Sequence, residues 1–410
     1  MEQYRSFLAL LRTALWGADR YPLELDAKQD WEQIFKELTD HGITALTTDV
    51  VAGIKELQPK WKIVWMQIAA KKINYFQRLM KEQQSLSEMF CAAGIPYCIL
   101  KGSAAAMYYP NPEYRAMGDV DIIVPPEDFE RALQGMLEHG FEPIELEDER
   151  HAELQKNGII FELHHYFATL GDLEAAEILD QRIYEGTRQP VEERLGDFTF
   201  SRLQTLENGL VLLAHIDQHL ESGIGLRQMI DWMYFVDKEL DDAFWKNEFE
   251  TVVTMLGLKK LALGVTRMCQ MYLGLRTEGI TWCKNIDEQL CQELMMMTMK
   301  KGNFGRKDAD SSQTKYILGM LRSWWDIPVQ LQLRGLNNWK ALKKYPFLKP
   351  FAWVYQICHY LRKGFSRKNP FGSLMQDSKE HLQEKDILEK LEVSNRNGSK
   401  ATVERLRRHK

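Results

Sequence analysis

Two aspartates sit two residues apart in an otherwise apolar run, Asp119-Val120-Asp121-Ile122-Ile123-Val124. No other stretch of the 410 residues points so directly to chemistry. In a strand, alternate side chains share a face, so both carboxylates project together while Val120 and Ile122 turn to a core. Like charges so placed repel, and strands are depleted in Asp. A bridging cation removes that cost. Oxygen donors of this kind favour Mg²⁺ or Mn²⁺, which also bind nucleotide phosphates. The plainer alternative is a hairpin edge with both aspartates solvated. A third acid strengthens the first reading. In GIIFELHHYF (158–167), Glu162 and His164 share one strand face, and Phe161 and Leu163 take the other. Three carboxylates can hold two metals about 4 Å apart, which stabilise the attacking and leaving oxygens of an in-line displacement. The implied chemistry is phosphoryl or nucleotidyl transfer.

Upstream, the apolar run ending at Leu100 meets Lys101-Gly102-Ser103, then three alanines. Gly102 permits a turn at positive φ and close approach of a ligand to the backbone. Amides at the following helix start, with the Ser103 hydroxyl, can receive phosphate oxygens. The order of residues is not that of a Walker A loop. Lys101 and Arg115 are the positive groups nearest the motif and are expected to neutralise phosphate, Arg115 bidentately. The alternative for Arg115 is a pair with Asp119 or another acid.

Leu100-Lys101-Gly102, the run Y-R-x-M-x-D-x-D-I-x-V (114–124) and the Glu162-x-His164 pair resemble the bacterial "uncharacterised nucleotidyltransferase" family, within the polymerase-β-type superfamily. The resemblance extends through His215, Arg227 and Asp231 to KKYPFLKPFAWVYQICHYLRK, covering most of residues 60–363. It implies that Asp119, Asp121 and Glu162 hold metal and carry catalysis, with Glu162 positioning or deprotonating the acceptor. Lys101, Gly102, Ser103 and Arg115 would bind the nucleotide, and His164, His215, Arg227 and Asp231 would face the cleft. The partners implied are an NTP, ATP first among them, and an acceptor on a small molecule, sugar or peptide. Family members occur in surface-polysaccharide and natural-product clusters. Two alternatives remain: a catalytically silent nucleotide-binding or adaptor protein, and a toxin- or antitoxin-type nucleotidyltransferase modifying tRNA or protein. The 17-residue gap from Gly102 to Asp119 is longer than in many superfamily members, so loop 107–117 must lie over or beside the site.

The elements that position these residues form an α+β pattern. Residues 1–90 read as a helical segment, its second helix stopping at Gly94 before Ile95-Pro96. Residues 91–202 read as a mixed-sheet nucleotidyltransferase core: short β-branched strands near 95–100, 119–124 and 158–167, with an amphipathic helix over 127–141. Apolar stripes at helical spacing mark 203–365 as an all-α domain, with single stretches at 206–220, 226–240, 249–275 and 285–301. Residues 303–314 read as an exposed loop and 366–410 as a polar, basic tail. The last 50 residues carry a net +6 and the rest −11.

An overall charge of −5 does not point to general nucleic-acid coating, and the acidic bias of residues 1–360 argues mildly against tRNA as acceptor without excluding nucleic acid. Six cysteines without a Cys-x-x-Cys pair predict reduced, mostly buried thiols in a cytoplasmic protein. There is no membrane-length apolar run. His215 and His219, one helical turn apart, lack the Glu of H-E-x-x-H and read as cleft-lining or capping residues. Arg227 and Asp231 are spaced to pair along one helix. The methionines of 293–301 read as adaptable core, and Trp324, Trp325, Phe351, Trp353 and Tyr355 as aromatic core.

Overall fold

Alternation along the strands decides which face of the sheet is packed and which is left for chemistry. The computed structural model describes residues 1–26, 29–146, 148, 150–220, 223–302, 339, 346–355 and 382–393. The chain divides into two units, Met1–Arg306 with Leu388–Lys410, and Lys307–Ile387. In the first unit, α1 (Arg5–Trp16), α2 (Trp31–Asp40), α3 (Thr48–Gly53) and the long α4 (Pro59–Ala93) precede the sheet. Proline opens α4, where its missing N–H costs nothing, and Gly94 ends it in the left-handed region at φ 62°. That stop is the one the sequence predicts.

Next come β1 (Cys98–Leu100), α5 (Gly102–Ala106), β2 (Val120–Ile123), α6 (Phe129–Glu138), β3 (Glu142–Glu145), β4 (His151–Lys156) and β5 (Ile159–His164). The sheet order is β1-β2-β5-β4-β3. Only β2 and β5 run parallel to each other, so the sheet is mixed and the fold is α+β. One sheet face carries Ile99, Val120, Ile122, Ala152, Leu154, Phe161 and Leu163, packed with Leu79, Phe90, Ala132 and Met136 of α4 and α6. Burial of each large apolar side chain contributes about 1.5–3 kcal/mol, and this fixes which way Asp121 and Glu162 face.

Helix α7 (Leu173–Thr187) begins at Asp172, whose carboxylate accepts from the Ala175 amide. A separate hairpin follows, β6 (Val191–Leu195) and β7 (Phe198–Arg202). Then come α8 (Thr205–Leu220), α9 (Leu226–Glu239), α10 (Asp242–Phe244), α11 (Glu250–Met255), α12 (Lys259–Met268) and α13 (Glu288–Lys301). The apolar stretch 249–275 is not one helix. Gly257 at φ 69° interrupts it, and Cys269–Leu273 is π-helical. Met295, Met297 and Met299 are core, as expected. Cys98, Cys269, Cys283 and Cys291 are buried free thiols, while Cys91 is exposed.

In the second unit the Trp339 and Tyr355 rings stack at 4.9 Å. Phe351 and Trp353 are exposed, correcting the aromatic-core expectation for those two. Loop 303–314, Trp324, Trp325, most of 343–363 and most of the basic tail lie outside the described residues, as does Cys358. Among the described residues no helix is long and apolar enough to cross a membrane.

Candidate active site

The register of the sheet joins the two acidic motifs. Asp121 on β2 lies opposite Leu100 on β1 and opposite Glu162 on the parallel β5. Hydrogen-bonded strands lie about 4.8 Å apart, so these carboxylates are side by side on the face turned from the core. Asp119 stands one residue before β2, exposed, at the mouth of the same cleft. The cleft is about 180 Å³ in volume.

Lys101 follows β1 with φ 53°, a conformation that side-chain-bearing residues adopt at a cost. Its Nζ reaches Asp121 Oδ1 at 2.7 Å. Gly102, at φ 37°, continues the turn, as its position in the sequence predicts. His164, fully buried, places Nε2 3.0 Å from Asp121 Oδ1 and 3.4 Å from Glu162 Oε2. On the neighbouring β4, His151 directs Nε2 to Glu162 Oε1 at 3.7 Å.

The opposite wall comes from α8 and α9. His215, Gln218 and His219 line it from α8, and Arg227, Gln228 and Asp231 from α9. Arg150, just before β4, meets the Gln218 amide and adds a further guanidinium. Arg227 donates from Nη1 to the Ala116 carbonyl at 2.9 Å. The cleft therefore has an acidic floor and a basic side.

Partial desolvation at the cleft mouth, then the neighbouring Asp121 charge, pushes the Asp119 carboxyl up to about 6. For Asp121, burial acts in the same upward sense, but Lys101 and then His164 outweigh it and hold the carboxyl well below the usual range. Burial of Glu162 is likewise outweighed, chiefly by the His164 hydrogen bond, and its carboxyl is lowered. Burial, with the Lys101 charge second, drives His215 well down, so it is neutral at pH 7.

Three expectations need correction. Ser103 is fully buried, and its hydroxyl donates to Gln83 Oε1 on α4 at 3.0 Å. The first turn of α5 rotates it inward, so Gly102 rather than the Ser103 hydroxyl borders the cleft. Arg115 touches the cleft, but its Nε and Nη2 are bound by Asp231 at 2.7 and 2.8 Å, and its side chain is 4% exposed. Its alternative reading, a pair with another acid, is the geometry found. Burial lowers the Arg115 pKa, but Asp231 more than offsets this. Asp231 consequently pairs with Arg115, and with the Tyr109 hydroxyl at 2.6 Å, rather than with Arg227 one turn away. Loop 107–117 is pinned to α9 by these bonds and to α3 by the Tyr114–Asp49 hydrogen bond.

Asp119, Asp121, Glu162, Lys101, Gly102, His215, Arg227 and Asp231 are brought to one cleft, and His164 is buried behind it against Asp121 and Glu162. His151, Arg150, His219 and Gln218 join them without having been singled out as nucleotide or metal residues. Segment 151–156, HAELQK, carries a period-two signal in Ala152 and Leu154, but its polar residues mask it.

A divalent cation suits this donor set. Carboxylate oxygens converge from two strands, and the Asp119 carboxyl is raised by desolvation first and by the Asp121 charge second, both of which a cation would relieve. His151, Glu162 and His164 also offer ligand atoms within 4.8 Å of one another.

Acids and guanidinium groups lining one narrow cleft are suited to holding a cation and phosphate oxygens together. The family model described as uncharacterised nucleotidyltransferase matches residues 27–274, and the chain belongs to that family. The match begins earlier than residue 60 and ends before the aromatic-basic segment, so the span is extended at its start and shortened at its end. Nothing among curated proteins matches the chain. Among solved structures, an antigenic nucleotidyltransferase-like protein from Paracoccidioides brasiliensis is 14% identical, with a TM-score of 0.31, over 50% of this chain and 96% of its own.

Proposed function

We propose that this chain transfers a nucleoside monophosphate from an NTP, ATP being the first to test, to a hydroxyl or phosphate acceptor on a small molecule, sugar or peptide. The observation that carries the reading is the pairing of Asp121 with Glu162 across parallel strands, with Asp119 at the same mouth. Asp119, Asp121 and Glu162 would hold Mg²⁺ or Mn²⁺, which supplies charge neutralisation and Lewis acidity at the phosphates. The protein's own groups do the rest. Lys101, Arg150 and Arg227 draw the triphosphate into the cleft, and the Gly102 turn lets it approach the backbone. Glu162 accepts the hydrogen bond of the acceptor hydroxyl and takes its proton as the new oxygen–phosphorus bond forms at the α-phosphate. The bond between α- and β-phosphates breaks and pyrophosphate leaves. The cleft is smaller than the roughly 300–1,000 Å³ of whole-ligand pockets, so it encloses the polyphosphate and leaves base and acceptor at its mouth.

The test is a transfer assay with α-labelled NTPs and divalent cation, using cell extract as the acceptor source. Label should move onto an acceptor with the parent chain and not with Asp121→Asn. Nucleotide binding with no transfer under any NTP or cation would replace this reading with the silent nucleotide-binding one.

A further inference from the structure

Glu162 is shared by two different sets of neighbours. On one side stand Asp121 and Asp119, all oxygen donors. On the other, the antiparallel register places His151 directly opposite His164; His151 lines the cleft, and His164 is buried behind it on the strand that carries Glu162. The ring centroids lie 5.3 Å apart. One carboxylate oxygen faces each ring: Oε1 lies 3.7 Å from His151 Nε2 and Oε2 3.4 Å from His164 Nε2. A ligand atom from each of the three lies within 4.8 Å of the others, close enough for one ion to touch all three after small side-chain rotations. His164 is fully buried and its Nδ1 makes no hydrogen bond, so its polar contacts are made from Nε2, to Asp121 Oδ1 at 3.0 Å and to Glu162 Oε2 at 3.4 Å. His151 is partly open to the cleft, leaving a route for an ion to enter.

The geometry points to a mixed nitrogen–oxygen metal site formed by His151, Glu162 and His164, beside the all-oxygen floor and distinct from it in chemistry. Imidazole suits Co²⁺ or Zn²⁺ and is accepted by Mn²⁺, whereas Mg²⁺ prefers oxygen and gives up its waters reluctantly. The cleft thus takes a transition-metal ion at the Glu162 end. This inference rests on the proposed function only in sharing Glu162, and it deepens that reading by naming the class of ion.

The experiment uses the metal-stripped full chain without nucleotide. Calorimetric titrations with Mg²⁺, Mn²⁺ and Co²⁺ compare the parent with His151→Gln. In the parent, Co²⁺ should bind at least about tenfold more tightly than Mg²⁺. His151→Gln should weaken Co²⁺ by roughly 10-fold or more and leave Mg²⁺ within about threefold. Electron spin-echo spectroscopy of the Mn²⁺-loaded parent should show ¹⁴N coupling from imidazole, a readout that needs no variant to fold. Absent nitrogen coupling, or Co²⁺ affinity unchanged by His151→Gln, overturns the site. Failure of NMP transfer with this site intact would sink the proposed function alone.

Discussion

Asp119 is a residue placed against its own stability. Its carboxyl is raised from an ordinary 3.8 to about 6, by partial desolvation at the cleft mouth first and by Asp121 second. The folded chain therefore holds that proton more tightly than the unfolded chain does. The stability that the protonated form allows is present below pH 3.8, falls as pH rises through the window to 6, and is gone above it. Asp119→Asn removes this loss. The metal-free variant should match the parent near pH 4 and exceed it at pH 7, by about 1 kcal/mol or less because the side chain is open to solvent. Thermal melts across that pH range check the sign. A variant less stable than the parent at pH 7 would mark Asp119 as hydrogen-bonded into the fold. This arrangement was readable in the sequence, because two acids on one face of an apolar strand announce a cost. The Lys101–Asp121 pair was not, since nothing in a sequence says which of two acids a nearby ammonium will choose.

Among the elements, loop 107–117 was the part least legible beforehand, and its anchoring shows why. Its path is set by long-range contacts: Arg115 and Tyr109 reach 116 and 122 residues along the chain to Asp231 on α9. Local propensity carries no trace of such a partner. The strands beside it were legible where apolar alternation was strong, as in β2 and β5. The polar β3 and β4 were not, and His151 was missed with them. Arg115 and Asp231 are both buried. Removing one partner leaves the other as an uncompensated buried charge, at a cost of about 3–5 kcal/mol. Arg115→Ala and Asp231→Ala should each be destabilising by that amount in denaturant melts. The double replacement Arg115→Met with Asp231→Leu should recover much of the loss, since apolar groups of similar volume can replace a buried pair. If Arg115→Ala is as stable as the parent and only nucleotide affinity falls, the phosphate-binding role for Arg115 returns.

Across the first unit, the cleft joins elements far apart in sequence: the sheet floor from residues 101–162, and the α8–α9 wall from 212–231. Arg227 of that wall bonds the Ala116 carbonyl, and Arg150 of the sheet side meets Gln218 of α8. A ligand bridging floor and wall binds only when both are folded and apposed, so its binding energy adds to the stability of the whole unit. By mass action, a ligand at 100 times its Kd contributes about 2.7 kcal/mol. At roughly 1–2 °C per kcal/mol for a unit of about 330 residues, ATP with Mn²⁺ should raise Tm by about 3–5 °C. The metal alone engages only the floor and should raise it less. Asp121→Asn removes a floor ligand, and Arg227→Gln removes a guanidinium from the wall. Either should cut the ATP-dependent part of the rise by half or more. A shift that persists in both variants would place the nucleotide somewhere other than this cleft.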